Sequence, residues 1–342
     1  MRIRDYGIHP GQMPTGPLNA ISDVKGVTVG HCTVVSDRHN TGVTVVMPCE
    51  ENPFTHKLPC AAFVLNGFGK TAGLVQIDEL GTLETPIALT NTLNVGLVHD
   101  AMVGYMIDRC RTEGVALRSV NPVVCECNDA SLNDIQHRAE RAKHVLEAIR
   151  NASAVFEEGA VGCGRGTTCH GLKGGVGTAS RVVRMPERDY TVGLLVQTNH
   201  GRFEDLLIQG RHPDAESPGR TGAPDQGSCI AILATDAPLS DRQLKRVVKR
   251  ISVGLARLGS FIGHGSGEVF IGFSTYRPEA VSESLVRSLQ MREERLDPFF
   301  RAAAECAEEA VLNSMIAAED VTGSDGTARR SLRHLLRPIE TD

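Results

Sequence analysis

The chain has 342 residues, 41% hydrophobic and 23% charged, with no Trp, enough for one large domain or two ordinary ones with a buried core. A mean hydropathy of -0.13 excludes a disordered chain, and a net charge of -5 from 36 basic and 41 acidic residues argues against nucleic-acid or membrane-surface binding. No apolar run approaches the roughly 18 to 20 residues of a membrane helix, and Met1 to Tyr6 lack the apolar stretch of a secretory leader, so a soluble cytoplasmic protein is expected.

Short apolar runs bounded by Gly, Pro or Asn predict strands at 26–30, 42–48, 61–65, 86–90 and 122–125. A helix is expected over 98–111. A second, amphipathic one is expected over 132–151, with Ile135, Ala139, Ala142, Val145, Leu146 and Ile149 on one face. Then come a Gly-rich stretch at 162–177 and strands at 191–198 and 229–234. The helix predicted over 239–257 is opened by Ser240 with Gln243 three residues on, a capping box. A strand at 267–274 and a helix over 298–317 close the pattern. Strands and helices come in runs rather than strict alternation, which favours an α+β fold.

Ten cysteines are too few for a disulfide scaffold and are expected reduced and buried. Cys169 and His170 are adjacent, and in an extended chain adjacent side chains point to opposite faces, so no metal site is expected there. Phosphate-loop readings fail as well. Gly69-Lys70-Thr71 has Val64 where a P-loop needs Gly, and the run from Gly166 to Gly171 has Leu172 where it needs Lys. Gly162-Cys163-Gly164-Arg165-Gly166 has Thr167 where a dinucleotide fingerprint has its last Gly.

Residues 210–227 hold four Gly and three Pro and no Val, Ile, Leu, Met or aromatic residue. A structureless loop of that length is a linker or is functional. Gly227-Ser228 at its end leads straight into an apolar strand, which favours function. A Ser placed there can attack the carbonyl before it, and Gly leaves that carbonyl unhindered. Cleavage would leave Ser228 as an N-terminal nucleophile whose own amine is a base.

An ordered set of short motifs carries a resemblance that runs nearly end to end. It comprises Thr15-Gly16-Pro17-Leu18-Asn19, Thr90-Asn91-Thr92, Glu126-Cys127-Asn128-Asp129, Gln197-Thr198-Asn199, Gly227-Ser228 with Thr235-Asp236-Ala237-Pro238, Gly265-Ser266-Gly267-Glu268, and Thr322-Gly323-Ser324-Asp325-Gly326. The chain resembles the L-aminopeptidase/D-amidase-esterase family, which includes the β-peptidyl aminopeptidases. The resemblance implies a four-layered αββα sandwich like that of N-terminal-nucleophile hydrolases and ornithine acetyltransferases. It implies a single domain over 1–342, self-cleaved into an α chain 1–227 and a β chain 228–342, with 210–227 as a mobile loop before the cut.

By position in the motifs, Ser228 is the cleaving residue and nucleophile, and Ser266 and Glu268 support it. Two apart on a strand, Ser266 and Glu268 share a face, although the local sequence alone favours a Gly-rich turn with a solvated Glu. Asn199 matches the oxyanion-hole Asn and is locally as good a turn-former before Gly201. Glu126 matches the acid that receives the substrate's free amine. His200 and His264 are read as bystanders. The implied enzyme releases small N-terminal residues from short peptides, amides or esters, needs no metal or organic cofactor, and is a homo-oligomer whose partners are its own α and β chains and a small substrate.

An acyltransferase of ornithine-acetyltransferase type, or an uncleaved, non-catalytic binding scaffold, are the rival readings. One departure stands out. Phe68-Gly69-Lys70-Thr71 carries Lys70 near a place where better-known members have an acidic residue, in a segment expected to border the substrate pocket.

Overall fold

The computed structural model describes residues 1–213, 215 and 226–337. Much of the 210–227 loop, namely 214 and 216–225, therefore lies outside the described residues. Ahead of two short hairpins in the C-terminal part, the strands are β1 (Thr28–Val35), β2 (Asn40–Met47), β3 (Leu58–Gly67), β4 (Thr82–Leu83), β5 (Ile87–Asn91), β6 (Val123–Cys127), β7 (Thr168–Cys169), β8 (Leu172–Lys173), β9 (Gly175–Arg184), β10 (Asp189–Asn199), β11 (Gln226–Thr235) and β12 (Gly265–Ser274). The helices are α1 (Leu74–Leu80), α2 (Val95–Thr112), α3 (Ala142–Arg150), α4 (Asp241–Val248), α5 (Ile251–Arg257) and α6 (Asp297–Ala317).

Of the two large sheets, one has four strands in the order β1-β2-β5-β6 and the other six in the order β4-β3-β12-β11-β10-β9, while β7 and β8 form a separate hairpin. Strand alternation gives each sheet two apolar faces, so each must be covered twice. In β11, Ile230, Ile232 and Ala234 face the four-stranded sheet, where Val46, Ile87, Leu89 and Cys125 meet them. Cys229, Ala231 and Leu233 face the other way, onto Leu244, Leu255, Phe299 and Val311 of α4, α5 and α6. The outer face of the four-stranded sheet packs Val45, Ala88 and Val124 against Val98, Met102 and Val145 of α2 and α3. The result is the expected four-layered αββα sandwich. Two pairs are parallel, β5 with β6 and β11 with β12, and each is joined through helices on an outer face, as parallel neighbours require.

The helix expected over 132–151 shrinks to α3. Asn133 is turned into a polar cluster, where its side chain bonds Asp129 at 3.0 Å and accepts from the Asn40 N–H, and Arg138 sits at φ 50, which stops a helix. Leu146, expected on the buried face, is 38% exposed. The helix expected over 239–257 breaks into α4 and α5, while its Ser240–Gln243 capping box forms as read. Strand β9 went unread because it buries Arg181, which ion-pairs Glu305 at 3.0 Å and Glu309 at 2.6 Å on α6.

The polar cluster at the open ends of β2, β5 and β6 carries a proton argument. The Thr41 hydroxyl lies 2.6 Å from Asp129 Oδ2 and 2.7 Å from Glu140 Oε1. It has one hydrogen to give, so the second bond needs a proton on one of the carboxyls. Burial pushes Asp129 up to about 6, and burial plus the Asp129 charge pushes Glu140 up to about 7. An unfolded chain gives up both protons near pH ~4. Between those values the fold holds more protons, so the stability owed to this pair is full in acid and lost as pH rises from about 4 to about 7. Wild-type protein should therefore exceed Glu140→Gln in Tm at pH 5, and the gap should narrow by a few degrees at pH 8 in thermal scans. A gap that stays constant with pH would mean the pair shares no proton.

Candidate active site

Strand β11 enters the sheet between β10 and β12, and its first residues set the site. Ser228 is level with Asn199 on β10 and with Gly267 on β12, and Gly227 is level with Ser266. A Cβ on Gly227 would fall 1.9 Å from the Asn199 carbonyl oxygen. Backbone contact therefore demands Gly at this position.

Ser228, Gly227, Gln226, Asn199, Glu126, Thr92, Thr168, Lys70 and Phe68 line one cavity of about 460 Å³. Ser228 is only 4% exposed, at the wall of that cavity. The Asn199 carboxamide has a fixed sense, because its Oδ1 accepts the Thr168 N–H at 3.0 Å. That leaves Nδ2 as a donor with no protein acceptor among the described residues, as an oxyanion site needs. The Thr168 loop is held in turn by Lys173. This fully buried ammonium donates to the carbonyls of Gly164, Thr167 and Gly174, each at 2.8 Å. Burial pulls its pKa down to about 7.

Glu126, 2% exposed, accepts the Lys70 N–H at 3.0 Å and the Thr92 hydroxyl. Both partners donate, so the carboxylate is held acceptor-only and can receive an ammonium. Lys70 lines the same cavity, its Nζ 5.1 Å from the Phe68 ring centre. The segment bearing it reaches the site because Gly267 lets the Phe68 carbonyl lie against β12, where a Cβ would meet it at 2.6 Å.

Ser266 donates its hydroxyl to Glu268, and both are fully buried. The shared face is as read, and burial removes the alternative of a solvated Glu in a turn. The pair stands level with Gly227 and Cys229. Glu268 lies on the helix-facing side with Cys229, whose thiol is pushed well up by burial and then by the Glu268 charge. Ser228 makes no hydrogen bond to Ser266. Asn66 donates from Nδ2 to the carbonyl of Gly263 at 3.1 Å and to that of Ser266, fixing the turn before β12. His264 does not line the cavity among the residues that do.

The sequence profile of peptidase family S58 matches residues 19–329. The chain belongs to peptidase family S58. It is 37% identical to the β-peptidyl aminopeptidase BapA of Sphingosinicella microcystinivorans, over 97% of this chain and 90% of that one. Its fold matches the L-aminopeptidase D-Ala-esterase/amidase of Ochrobactrum anthropi, described as a prototype of the serine aminopeptidases and a variant of the Ntn-hydrolase fold. That match has a TM-score of 0.90 and 36% identity, over 97% and 96% of the two chains. The PH0078 protein of Pyrococcus horikoshii OT3 matches with a TM-score of 0.91 and 42% identity, over 99% and 98%. The S58 chain is thus a peptide-bond hydrolase, an aminopeptidase by kinship.

Asn66, Thr92, Thr168 and Lys173 support the site without a sequence signal of their own. Thr92 lies within the Thr90-Asn91-Thr92 motif; Thr168 offers its backbone N–H, and Asn66 and Lys173 grip main-chain carbonyls, contacts that leave no spacing signal. Among described residues no helix is long and apolar enough to cross a membrane.

Replacing Gly227 by Ala should drive a methyl into the Asn199 carbonyl and part β11 from β10 at the site. The expected cost is about 1 to 3 kcal/mol, with activity lost far beyond what that destabilisation explains. Denaturant midpoints and turnover measured together check it, and near-normal turnover in Gly227→Ala would refute the close contact.

Proposed function

We propose that the chain cuts itself between Gly227 and Ser228 and then works as a serine aminopeptidase or amidase. It releases small N-terminal residues from short peptides, amides or esters through an acyl-enzyme on Ser228. The observation that carries this reading is the meeting of Ser228, the fixed Asn199 carboxamide and Glu126 around one cavity whose wall includes Gly227.

In self-cleavage, Ser228 Oγ attacks the Gly227 carbonyl carbon. The C–N bond breaks to an ester as the nitrogen takes up the hydroxyl proton, and water then hydrolyses the ester. The freed Ser228 amine becomes the base that takes the Oγ proton in each later turnover. The oxyanion of the tetrahedral intermediate is received by Asn199 Nδ2, and Ser266 and Glu268 hold a proton or orient the new terminus beside the cut. Water releases the acyl group.

The two chains, 1–227 and 228–342, would stay together as one unit. Strand β11, from the second, is paired to β10, from the first, along its length, and β12 is paired to β3. Glu126 suits the substrate ammonium, and Lys70 across the same cavity suits a carboxylate, which favours short peptides with both ends free. Ten free, buried cysteines fit a reducing cytoplasm. Self-association is supported by the exposed apolar side chains Val281, Leu285, Val286 and Leu289, each more than half exposed.

Intact mass gives the first test. Purified protein should contain chains of 227 and 115 residues, the smaller near roughly 12 kDa and beginning Ser-Cys-Ile-Ala. Ser228→Ala should stay whole, folded and inactive, with a stability change of less than about 1 kcal/mol. Persistent uncut wild type, or a Ser228→Ala protein that still turns over aminoacyl amides, would overturn the proposal. Product analysis with an added amine acceptor separates hydrolysis from acyl transfer.

Steady-state kinetics give the second. Loss of one charge-assisted contact of about 1.5 to 3 kcal/mol in Glu126→Gln should raise KM roughly tenfold to a hundredfold for free-amine substrates, with kcat little changed. Lys70→Ala should raise KM for dipeptides with a free carboxylate and leave the matching amides alone. Equal effects on acids and amides would remove Lys70 from recognition.

A further inference from the structure

Behind the oxyanion strand lies a second cluster, outside the cavity just described. Thr168–Cys169 and Leu172–Lys173 form a hairpin whose two turn residues, His170 and Gly171, have φ 47 and 72, as a two-residue primed turn requires. Cys169 and His170 are therefore not neighbours on an extended strand, and the expectation that their side chains diverge fails. The turn brings Cys169 Sγ, a His170 ring nitrogen and a His200 ring nitrogen within 4.8 Å of one another, all three residues buried.

The tautomers suit metal ligation. His170 Nδ1 lies 3.0 Å from the Arg202 carbonyl, which can only accept, so Nδ1 carries the proton and Nε2 keeps its lone pair. A backbone carbonyl on the outer nitrogen is the usual support of a ligating histidine. His200 is 3% exposed, and neither ring nitrogen has a hydrogen-bond partner among the described residues. A neutral imidazole so placed forfeits its hydrogen bonds, which costs free energy unless something else fills the position. The Ser260 hydroxyl is 3.4 Å from His170 Nε2 and can supply a fourth oxygen. Gly201 is required beside the cluster, because a Cβ there would lie 2.5 Å from the His170 ring.

We infer that Cys169, His170 and His200 form a binding site for a zinc-class divalent cation, placed directly behind the oxyanion donor. One thiolate, two imidazoles and a hydroxyl or water make a four-coordinate set that prefers Zn²⁺ over hard oxygen-seeking cations. Ligand atoms about 2.0 to 2.3 Å from such an ion sit roughly 3.3 to 3.8 Å apart, a small contraction from the arrangement seen. Binding releases the Cys169 thiol proton to solvent and changes no oxidation state.

The placement gives the ion a positioning role. Cys169 follows Thr168, whose N–H holds Asn199 Oδ1, and His200 follows Asn199. A metal bridging Cys169 to His200 clamps both ends of that hydrogen bond.

The test is titration of chelator-stripped full-length protein with Co²⁺. One equivalent per chain should bind and give a thiolate-to-cobalt charge-transfer band, and Zn²⁺ should displace it. The band should vanish in Cys169→Ser and fall at least tenfold in affinity in His200→Ala, and it should survive in Cys60→Ser. If His200→Ala does not fold, Cys169→Ser, a one-atom change, decides alone. No stoichiometric binding to wild type, or a band unchanged in Cys169→Ser, overturns the site. Zn²⁺ should also raise the Tm of wild type and leave that of Cys169→Ser unmoved; equal shifts in both would place the ion elsewhere.

Discussion

The pairing of β11 between β10 and β12 is the constraint on which the site depends. From Cys229 to Ala234 the strand is buried on both faces, with two Ile facing one core and Cys, Ala and Leu facing the other. A slip of one residue would exchange the two sets and turn Ser228 to the opposite face. Such an exchange forces large side chains into space shaped for small ones, and dense interiors resist that. The hydroxyl is thus located by packing that extends some six residues into the core. Gly227 then fixes the remaining freedom, because only a residue without Cβ can follow β11 past the Asn199 carbonyl.

Polar groups at this end of the sandwich obey a matching rule of donors to acceptors. Glu126 meets a backbone N–H and a hydroxyl, Asn199 meets the Thr168 N–H, and Lys173 meets three carbonyls. A buried ion without such partners would be neutralised instead. Asp129 and Glu140 show the limit of that rule: although Thr41, Asn91 and Asn133 donate to them, burial still raises both acids, which share a single hydroxyl proton. The cluster joins Asn91, beside Thr92, to Asp129, three residues beyond Glu126. Glu126 therefore stands on strand ends that a shared proton ties together.

What could be read in the sequence was what repeats along an element. Apolar runs gave β2, β3, β5, β6, β10, β11 and β12 within a few residues, and the motif order gave the αββα layers. The 132–151 helix was overread because Leu132, Ile135 and Ala139 sit at helical spacing while Asn133 and Asp134 are taken by Asp129, Asn40 and Arg38. Tertiary hydrogen bonds overrode the local pattern. Strand β9 was hidden by Arg181, which reads as surface and is fully buried between two glutamates. At the site, Ser228, Asn199 and Glu126 were legible because the motifs name side chains. Thr168 and Asn66 were not, since one offers its N–H and the other grips main-chain carbonyls, and a sequence records neither.

On the proposed reading, the uncut strand also explains why processing must come first. Gln226 and Gly227 occupy the wall of the same cavity as Glu126 and Lys70, so the chain itself fills part of the space a substrate needs. Until the bond breaks, the Ser228 nitrogen is an amide, which is no base at neutral pH, and the hydroxyl adjoins the Gly227 carbonyl that precedes it. Cutting converts that nitrogen to an amine, frees Gln226 and Gly227 to leave, and keeps Ser228 where the β10 and β12 pairings hold it. The same wall that orders the first reaction is then vacated for the second, and the geometry of attack is inherited unchanged because none of the strands that define it has been cut behind Ser228.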